Sequence, residues 1–455
     1  MLSPTLFLTF INDIADAARG CDIALFADDV GLWPKNAMNR ESELGKLQLK
    51  NGLDGLTEWA SDWRMVWNVK KSGVVLFRAA NRDRKAQRSV ASSEKKARRR
   101  VDIAPINFIL SRQQLPVQTS ARYLGVVFDQ HGHWDSHFDS ILPKVRYAVH
   151  RICRIIRRDH PPCMPIISEL IKTHVHPIIS YGFPIVRFTQ TQQNKLDSLL
   201  ILPIKRSLSV FTTTSHAALF INSRLLDVES LWLKSALSFT HRLHKLRSNP
   251  AAQLLQEELN EWDQNLLPST TPEYTRSFAS RVRETERKLH LHADEHMTSR
   301  QLKEAAAMHM IKKMQKENSH APFLINFDLN EDHLTRPDHH LRADPPSLIA
   351  LRSRLRLNSS LLNSTMCKRK LLLNENCDSC KTPETLQHVI LHCPRYDTAR
   401  STLFATLGFK PPDDYLLLIC LGRTPDRKLR GHRPTLFEHA SGLFLSDIAR
   451  IRPNL

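Results

Sequence analysis

The sequence predicts an α+β fold: a strand-bearing N-terminal part, a long helical middle and a small metal-binding knuckle near the C-terminus. Three observations predict it. Short apolar runs of strand length (Ile23–Phe26, Val30–Trp33, Val74–Phe77, Ile106–Leu110 and Tyr123–Phe128) cluster in the first 131 residues. From residue 134 apolar residues recur at helical spacing instead, beginning with Phe138, Ile141, Leu142, Val145, Val149, Ile152 and Ile156. Cys377, Cys380, His388 and Cys393 then gather four soft or borderline ligands within 17 residues.

At 455 residues the chain has the length of about two to four domains. It carries 65 Lys and Arg against 46 Asp and Glu, a formal net charge of +19. Such an excess favours a polyanionic partner, most simply nucleic acid. Eight cysteines without a basic-then-apolar leader do not make a secreted disulfide framework. No apolar run approaches the length of a membrane span, so no membrane partner is expected. The expected location is intracellular, in the nucleus or cytoplasm, where clustered cysteines signal metal. With only 13 Gly, a glycine-rich phosphate loop is not expected.

Residues 1–18 read as a helix started by Pro4, with Leu6, Phe7, Phe10, Ile11 and Ile14 facing a core. Cys21–Trp33 reads as a hairpin with Asp28 and Asp29 at its tip. Taken alone, the pair fits a solvated turn. Adjacent carboxylates also suit a divalent cation such as Mg²⁺, with Mn²⁺ as substitute, which relieves their mutual repulsion. Residues 39–67 read as a helix whose stripe is Leu44, Leu47, Leu53, Leu56, Trp59 and Trp63, weakened by Gly52 and Gly55. A strand follows at Val74–Phe77, then a basic linker over 78–105, where solvated charge and contact with nucleic-acid backbone are both open readings. Strand character returns over 106–131, with Gly125 allowing a bulge or a close backbone approach.

Residues 132–215 read as helices. The first carries Pro143 as a kink or a late start, and Lys144, Arg151, Arg154 and Arg158 line a face that can run along a duplex backbone or simply be solvated. Within 216–350 the periodicity predicts a helix carrying Val228, Leu231, Trp232, Ser235, Phe239, Leu243 and Leu246, and others near 251–262, 274–291 and 298–316. Residues 317–347 read as an irregular connector. The cysteine cluster falls in 351–400, and 401–455 reads as a helical tail. In Cys377-x2-Cys380-x7-His388-x4-Cys393 the spacing suits a closed tetrahedral Zn²⁺ site of structural type. His392 competes with His388 for the fourth position, and Cys367 is a spare ligand.

Several motifs recur in one order: Leu2-Ser3-Pro4-Thr5-Leu6-Phe7, Phe10-Ile11-Asn12-Asp13, Phe26-Ala27-Asp28-Asp29, then Trp59, Trp63, Asn68, Lys71 and Ser72, then Tyr123-Leu124-Gly125-Val126. As a set this resembles the reverse transcriptase of non-LTR (LINE-type) retrotransposons, closely over about the first half of the chain. The Cys₃His motif followed by Pro394-x-Tyr396 is similar to the zinc knuckle of those polymerases. The resemblance implies the C-terminal half of a right-hand palm, a helical thumb, a helical connector and the knuckle. It implies RNA-directed DNA synthesis from deoxynucleoside triphosphates on an RNA template and a DNA primer or target, by two-metal nucleotidyl transfer. Asp28 would be the shared metal ligand and Asp29 a weaker one. Lys71 would lie near the triphosphate, and Tyr123, Leu124 and Gly125 near the primer terminus. The chain starts inside the first motif, so the family's earlier catalytic Asp and its fingers are not in this sequence. The expectation is a truncated and inactive polymerase, with a catalytically dead nucleic-acid-binding remnant as the alternative.

Overall fold

The computed structural model describes residues 3–35, 43–77, 107–156, 162–246, 249–263, 278–289, 298–316, 344–422 and 434–452. The chain divides into two compact units, residues 1–140 and 141–455. The basic linker, Arg158, the connector over 317–343 and the second basic cluster, 423–433, lie outside the described residues.

The first unit is α+β. Helices α1 (Ser3–Phe10) and α2 (Ile14–Ala17) lead into the hairpin of β1 (Cys21–Phe26) and β2 (Asp29–Pro34). Helix α3 (Glu43–Asp62) covers it and is followed by a short 3₁₀ turn at Val69–Lys71. Strand β3 (Val74–Val75) pairs in parallel with β6 (Val117–Gln118). Strands β4 (Ile109–Leu110) and β5 (Gln113–Gln114) form one hairpin, and β7 (Ser120–Tyr123) and β8 (Val126–Asp129) another. These are four separate two-stranded ladders.

Several expectations are corrected here. The run Tyr123–Phe128 is a hairpin, because Leu124 and Gly125 both take positive φ (47° and 81°) and reverse the chain in two residues. The N-terminal helix breaks after Phe10. Ile11 and Ile14 reach the core, but Leu6 is 64% exposed and Phe10 is half out. The stripe of α3 is buried only from Leu53 onward, and Leu44 and Leu47 face outward. Trp63 lies beyond the helix end, where Met65 N–H returns to the Ala60 carbonyl over a left-handed Arg64. Gly52 and Gly55, read as weak points, are where α3 lies closest to its neighbours. A Cβ at 52 would stand 2.8 Å from Cys21 Sγ, and one at 55 only 2.1 Å from the Ala17 carbonyl oxygen. Ile11, Ile14, Leu53, Leu56, Trp59 and Phe108 close this core.

The second unit is helical. Helix α4 (Asp135–Ile155) runs unbroken through Pro143, and its predicted apolar face, Phe138 to Ile156, is buried throughout. It is followed by α5 (Met164–His174), α6 (His176–Ser180) and α7 (Gln190–Leu208), whose Thr189 and Gln192 close a capping box. Next come α8 (His216–Ser223), α9 (Val228–Lys245), α10 (Pro250–Asp263), α11 (Phe278–Leu289) and α12 (Ser299–Lys316). On α9 the buried stripe is wider than periodicity predicts and takes in Leu233, Ala236 and Leu237, because α7, α11 and α12 all pack on it. Leu246 falls past the helix end and is exposed.

The C-terminal part is α13 (Pro346–Arg356), α14 (Asn363–Lys368), the segment carrying the Cys/His cluster, then α15 (Asp397–Leu407), α16 (Asp413–Cys420) and α17 (Pro434–Ile451). Arg352 is fully buried. It pairs with Asp344 at 2.6 Å and donates to the carbonyls of Ile419 and Cys420, while Arg356 donates to those of Leu421 and Gly422. Two guanidinium groups thus satisfy the open carbonyl end of α16.

Candidate functional site

The first constellation stands on the β1–β2 hairpin. Phe26 pairs with Asp29, which leaves Ala27 and Asp28 as a two-residue turn, and Ala27 takes a left-handed φ of 53°. That conformation is uncommon for a residue with a Cβ. Asp28 therefore sits at the tip and Asp29 begins β2, both exposed. Tyr123 reaches this hairpin from β7: its Cζ lies 3.3 Å from where a Cβ on Gly31 would stand. Glycine at 31 is what lets the ring lie on the strand. Burial, then the Asp29 carboxylate, raises the Tyr123 phenol above its ordinary range. Two candidate sites, the carboxylate pair and the Tyr123-Leu124-Gly125 turn, are thus brought together. Lys71 lies exposed in its 3₁₀ turn.

Among the described residues no third His, Cys or carboxylate joins Asp28 and Asp29 in a metal-ligating group. Among the described residues, the one group of three or more metal-ligating side chains close enough to share an ion is elsewhere. Two Mg²⁺ ions of octahedral preference need more oxygen donors than this pair supplies. The residues present do not fit a two-ion centre.

The second constellation is complete. The ligand atoms of Cys377, Cys380, His388 and Cys393 all lie within 4.8 Å of one another. Sγ of Cys393 is 3.9 Å from that of Cys377 and 3.6 Å from that of Cys380. Tetrahedral thiolates at about 2.3 Å from a zinc ion stand about 3.8 Å apart. Nε2 of His388 is buried and has no hydrogen-bond partner, while Thr382 Oγ1 lies 3.3 Å from Nδ1. An orphaned ring nitrogen among three thiols is the donor an ion would take up. His392 is exposed and outside the cluster; Cys367 is half-buried and also outside it, its Sγ 3.9 Å from the Leu373 carbonyl.

Local backbone makes this convergence. Cys377 and Cys380 sit on a tight turn closed by Cys377 N–H to the Thr382 carbonyl (2.7 Å) and Lys381 N–H to that of Cys377 (2.9 Å). His388 and Cys393 lie at the two ends of a wide π turn, closed by Cys393 N–H to the His388 carbonyl at 2.8 Å. In an α-helix residues five apart point about 140° from each other, so the wider turn brings both side chains to one side.

Burial pushes the Cys393 thiol up to about 12. Burial also works to raise Cys377, but N–H groups of Cys380 and Ser379 and the neighbouring thiols outweigh it and bring that thiol below its ordinary value. Burial, then His392 and Arg400, lowers His388, which keeps the imidazole neutral and able to ligate.

Sequence reading missed the residues that hold this turn. Arg400, on α15, donates to the carbonyls of Ile390 (2.9 Å) and Cys393 (3.1 Å) and pairs with Asp397. The buried Glu384 accepts from Asn363 N–H (2.9 Å) and pairs with Arg452 just past α17. Only a buried charge betrays such roles, and burial of a single Arg is not written in local spacing.

On α4, Lys144, Arg151 and Arg154 are all exposed on the side away from the buried stripe. Tyr147 stands among them, 69% exposed, with the Arg151 guanidinium 5.9 Å from its ring centroid. Cations interleaved with an exposed aromatic suit a phosphate backbone and a base.

No protein-family model matches this chain, and no curated protein matches it. Among the described residues no helix is long and apolar enough to cross a membrane.

Proposed function

We propose that this chain is a nucleic-acid-binding part of a non-LTR-type reverse transcriptase: the palm hairpin, thumb, connector and zinc knuckle that hold an RNA template and a DNA primer. The observation that carries this reading is Tyr123 lying on Gly31 beside Asp29. In a polymerase of that class, the primer-facing hairpin and the carboxylate hairpin belong side by side. Lys71 then belongs near the incoming deoxynucleoside triphosphate. The cations of α4 belong along the duplex backbone. Zn²⁺ is the ion for the Cys₃His set, since four soft or borderline donors without an open position make a closed structural site. Because Asp28 and Asp29 have no third ligand among the described residues, the chain binds nucleic acid without extending a primer.

The test is a primer-extension assay on an RNA template with Mg²⁺, run beside fluorescence-anisotropy binding to the same hybrid. The unmodified chain and its Asp28→Ala, Asp29→Ala version should bind alike and extend nothing. Extension by the unmodified chain alone would mean that another carboxylate completes the site and that the chain is itself a polymerase. Tight binding indifferent to salt would count against a phosphate-tracking thumb.

A further inference from the structure

Helix α4 divides lengthwise into two arcs. At about 100° per residue, the buried Ile141, Val145, Val149 and Ile152 share one side. Arg146, His150, Arg154, Tyr147, Arg151 and Lys144 follow in that order around the other, through about 160°, and all six are exposed. Tyr147 stands near the middle of this arc, between Arg154 and Arg151. The carboxylates of the helix, Asp135 and Asp139, belong to its first two turns, and the sequence then carries no Asp or Glu until Asp159. Over its last three turns the outward face is therefore cationic around one aromatic ring.

That ring is presented to solvent. Tyr147 is 69% exposed, and the Arg151 guanidinium lies over it, 5.9 Å from the centroid. A flat guanidinium stacks on π-systems and also binds phosphate, so Arg151 is placed to serve a base on the ring or the phosphate beside it.

Stacking decides which form of nucleic acid this face suits. In a duplex both faces of each base are covered by its neighbours, and a helix lying along the backbone meets phosphate and sugar. An unpaired base offers a free face. Aromatic platforms beside a cationic track hold single strands in this way, without reading sequence. Cations alone would serve duplex and single strand equally, whereas the ring serves the single strand.

We propose that Tyr147 is a base-stacking platform, and that the α4 face takes an unpaired nucleotide whose flanking phosphates are held by Lys144, Arg151 and Arg154. This rests on the nucleic-acid-binding reading above and narrows it. The same cations meet the backbone of the hybrid, and the ring selects the single strand that continues from it.

Competition binding with the full chain tests this. A fluorescein-labelled single strand is displaced by unlabelled single-stranded RNA, single-stranded DNA or the blunt RNA–DNA hybrid of one sequence, over a range of salt. Tyr147→Leu should weaken single-strand binding about 5- to 150-fold and hybrid binding less than about twofold. The salt slope should stay as it was, because no charge has been removed. Tyr147→Phe should keep the affinity, since the ring is retained. A 2-aminopurine in the strand should change its fluorescence on binding the unmodified chain and the Phe variant, but not the Leu variant. Loss on only one of RNA and DNA identifies that strand as the ligand. Equal weakening of strand and hybrid, no weakening of either, or an altered salt slope would each overturn the platform while leaving nucleic-acid binding in place. An unmodified chain that binds none of the three probes would remove the underlying reading as well.

Discussion

Arg400 Nε donates to the carbonyl oxygen of Ile390 over 2.9 Å, within the π turn that joins His388 to Cys393. The same guanidinium reaches the Cys393 carbonyl at 3.1 Å. It therefore fixes the spacing of two candidate ligands from outside the cluster. Arg400→Met should leave the four donors in place and accelerate loss of bound zinc to a chromogenic chelator. An effect of about 10- to 100-fold on affinity is usual for such supporting groups. Unchanged metal affinity would show that the turn holds its shape unaided.

Metal content separates the two histidines. Purified protein should carry one zinc per chain, and His388→Ala or Cys393→Ser should lose it, whereas His392→Ala should keep it. Uptake of zinc by metal-free protein near pH 7 should release protons, since the Cys393 thiol is held protonated up to about 12 until an ion displaces the proton. Elemental analysis and a weakly buffered pH-indicator titration read the two effects. Equal zinc in the His388→Ala variant would remove the imidazole from the ligand set.

Gly55→Ala should be among the most damaging single-methyl changes in the first unit. The new Cβ would stand 2.1 Å from the backbone oxygen of Ala17, which cannot swing aside as a side chain can. Displacing α3 from α2 should cost about 1–3 kcal/mol or more. Chemical denaturation of the unmodified and altered chains measures it. Gly132→Ala is a useful control, since open space surrounds that position and only its positive φ of 68° resists a side chain.

A buried acid gives a pH signature. Asp197 on α7 accepts from Val228 N–H at 2.8 Å and lies near Asp227 and Glu229 at the start of α9. Burial, then Asp227, lifts it from an ordinary 3.8 to about 7, against the Val228 bond and Lys313. The folded state thus holds a proton that the unfolded chain has released, and stability falls as pH rises from about 4 to 7. Glu229 acts in the opposite sense. His309, 3.6 Å away, leads the groups that hold it at about 2, so its contribution is present above pH 4.5 and fades on acidification. Asp197→Asn keeps the acceptor for Val228. It should stabilise less at pH 5 than at pH 8, where the gain is at most about 4 kcal/mol. Urea unfolding at both pH values decides the point, and equal effects at 5 and 8 would refute it.

Charge on α4 should be read in salt dependence. Arg151→Gln and Arg154→Gln should each lower the slope of log affinity against log salt by about 0.7–0.9 on nucleic acid. The Asp28→Ala, Asp29→Ala chain should keep its full slope. Variants that bind with an unaltered slope would place the phosphates elsewhere.

What the sequence makes legible follows from the range of each interaction. The α4 face from Phe138 to Ile156 is a local period and is buried as expected. The Cys₃His cluster is legible because its four side chains fall within 17 residues and are of ligating types. Tyr123-Leu124-Gly125-Val126 looks like one strand because apolar character continues through a turn that only φ reveals. Gly52 and Gly55 lower helix propensity, yet they decide how close α3 can lie, and that distance belongs to Cys21 and Ala17. Arg400 and Arg452 are invisible for the same reason, since their partners are fixed only once the chain has folded.

The parallel pairing of Val74 with Val117 also sets a timetable. The hairpins at 21–34, 109–114 and 120–129 can close as soon as each leaves the ribosome, but β3 must wait 43 residues for its partner. At about 5–20 residues per second, that is roughly 2–9 s of synthesis. During that interval Val74 and Val75 are strand edges without a mate. The number of residues between the two strands sets that wait, while the finished pairing rests on the strands themselves. Insertions and deletions there should therefore change yield during expression before they change the stability of what folds.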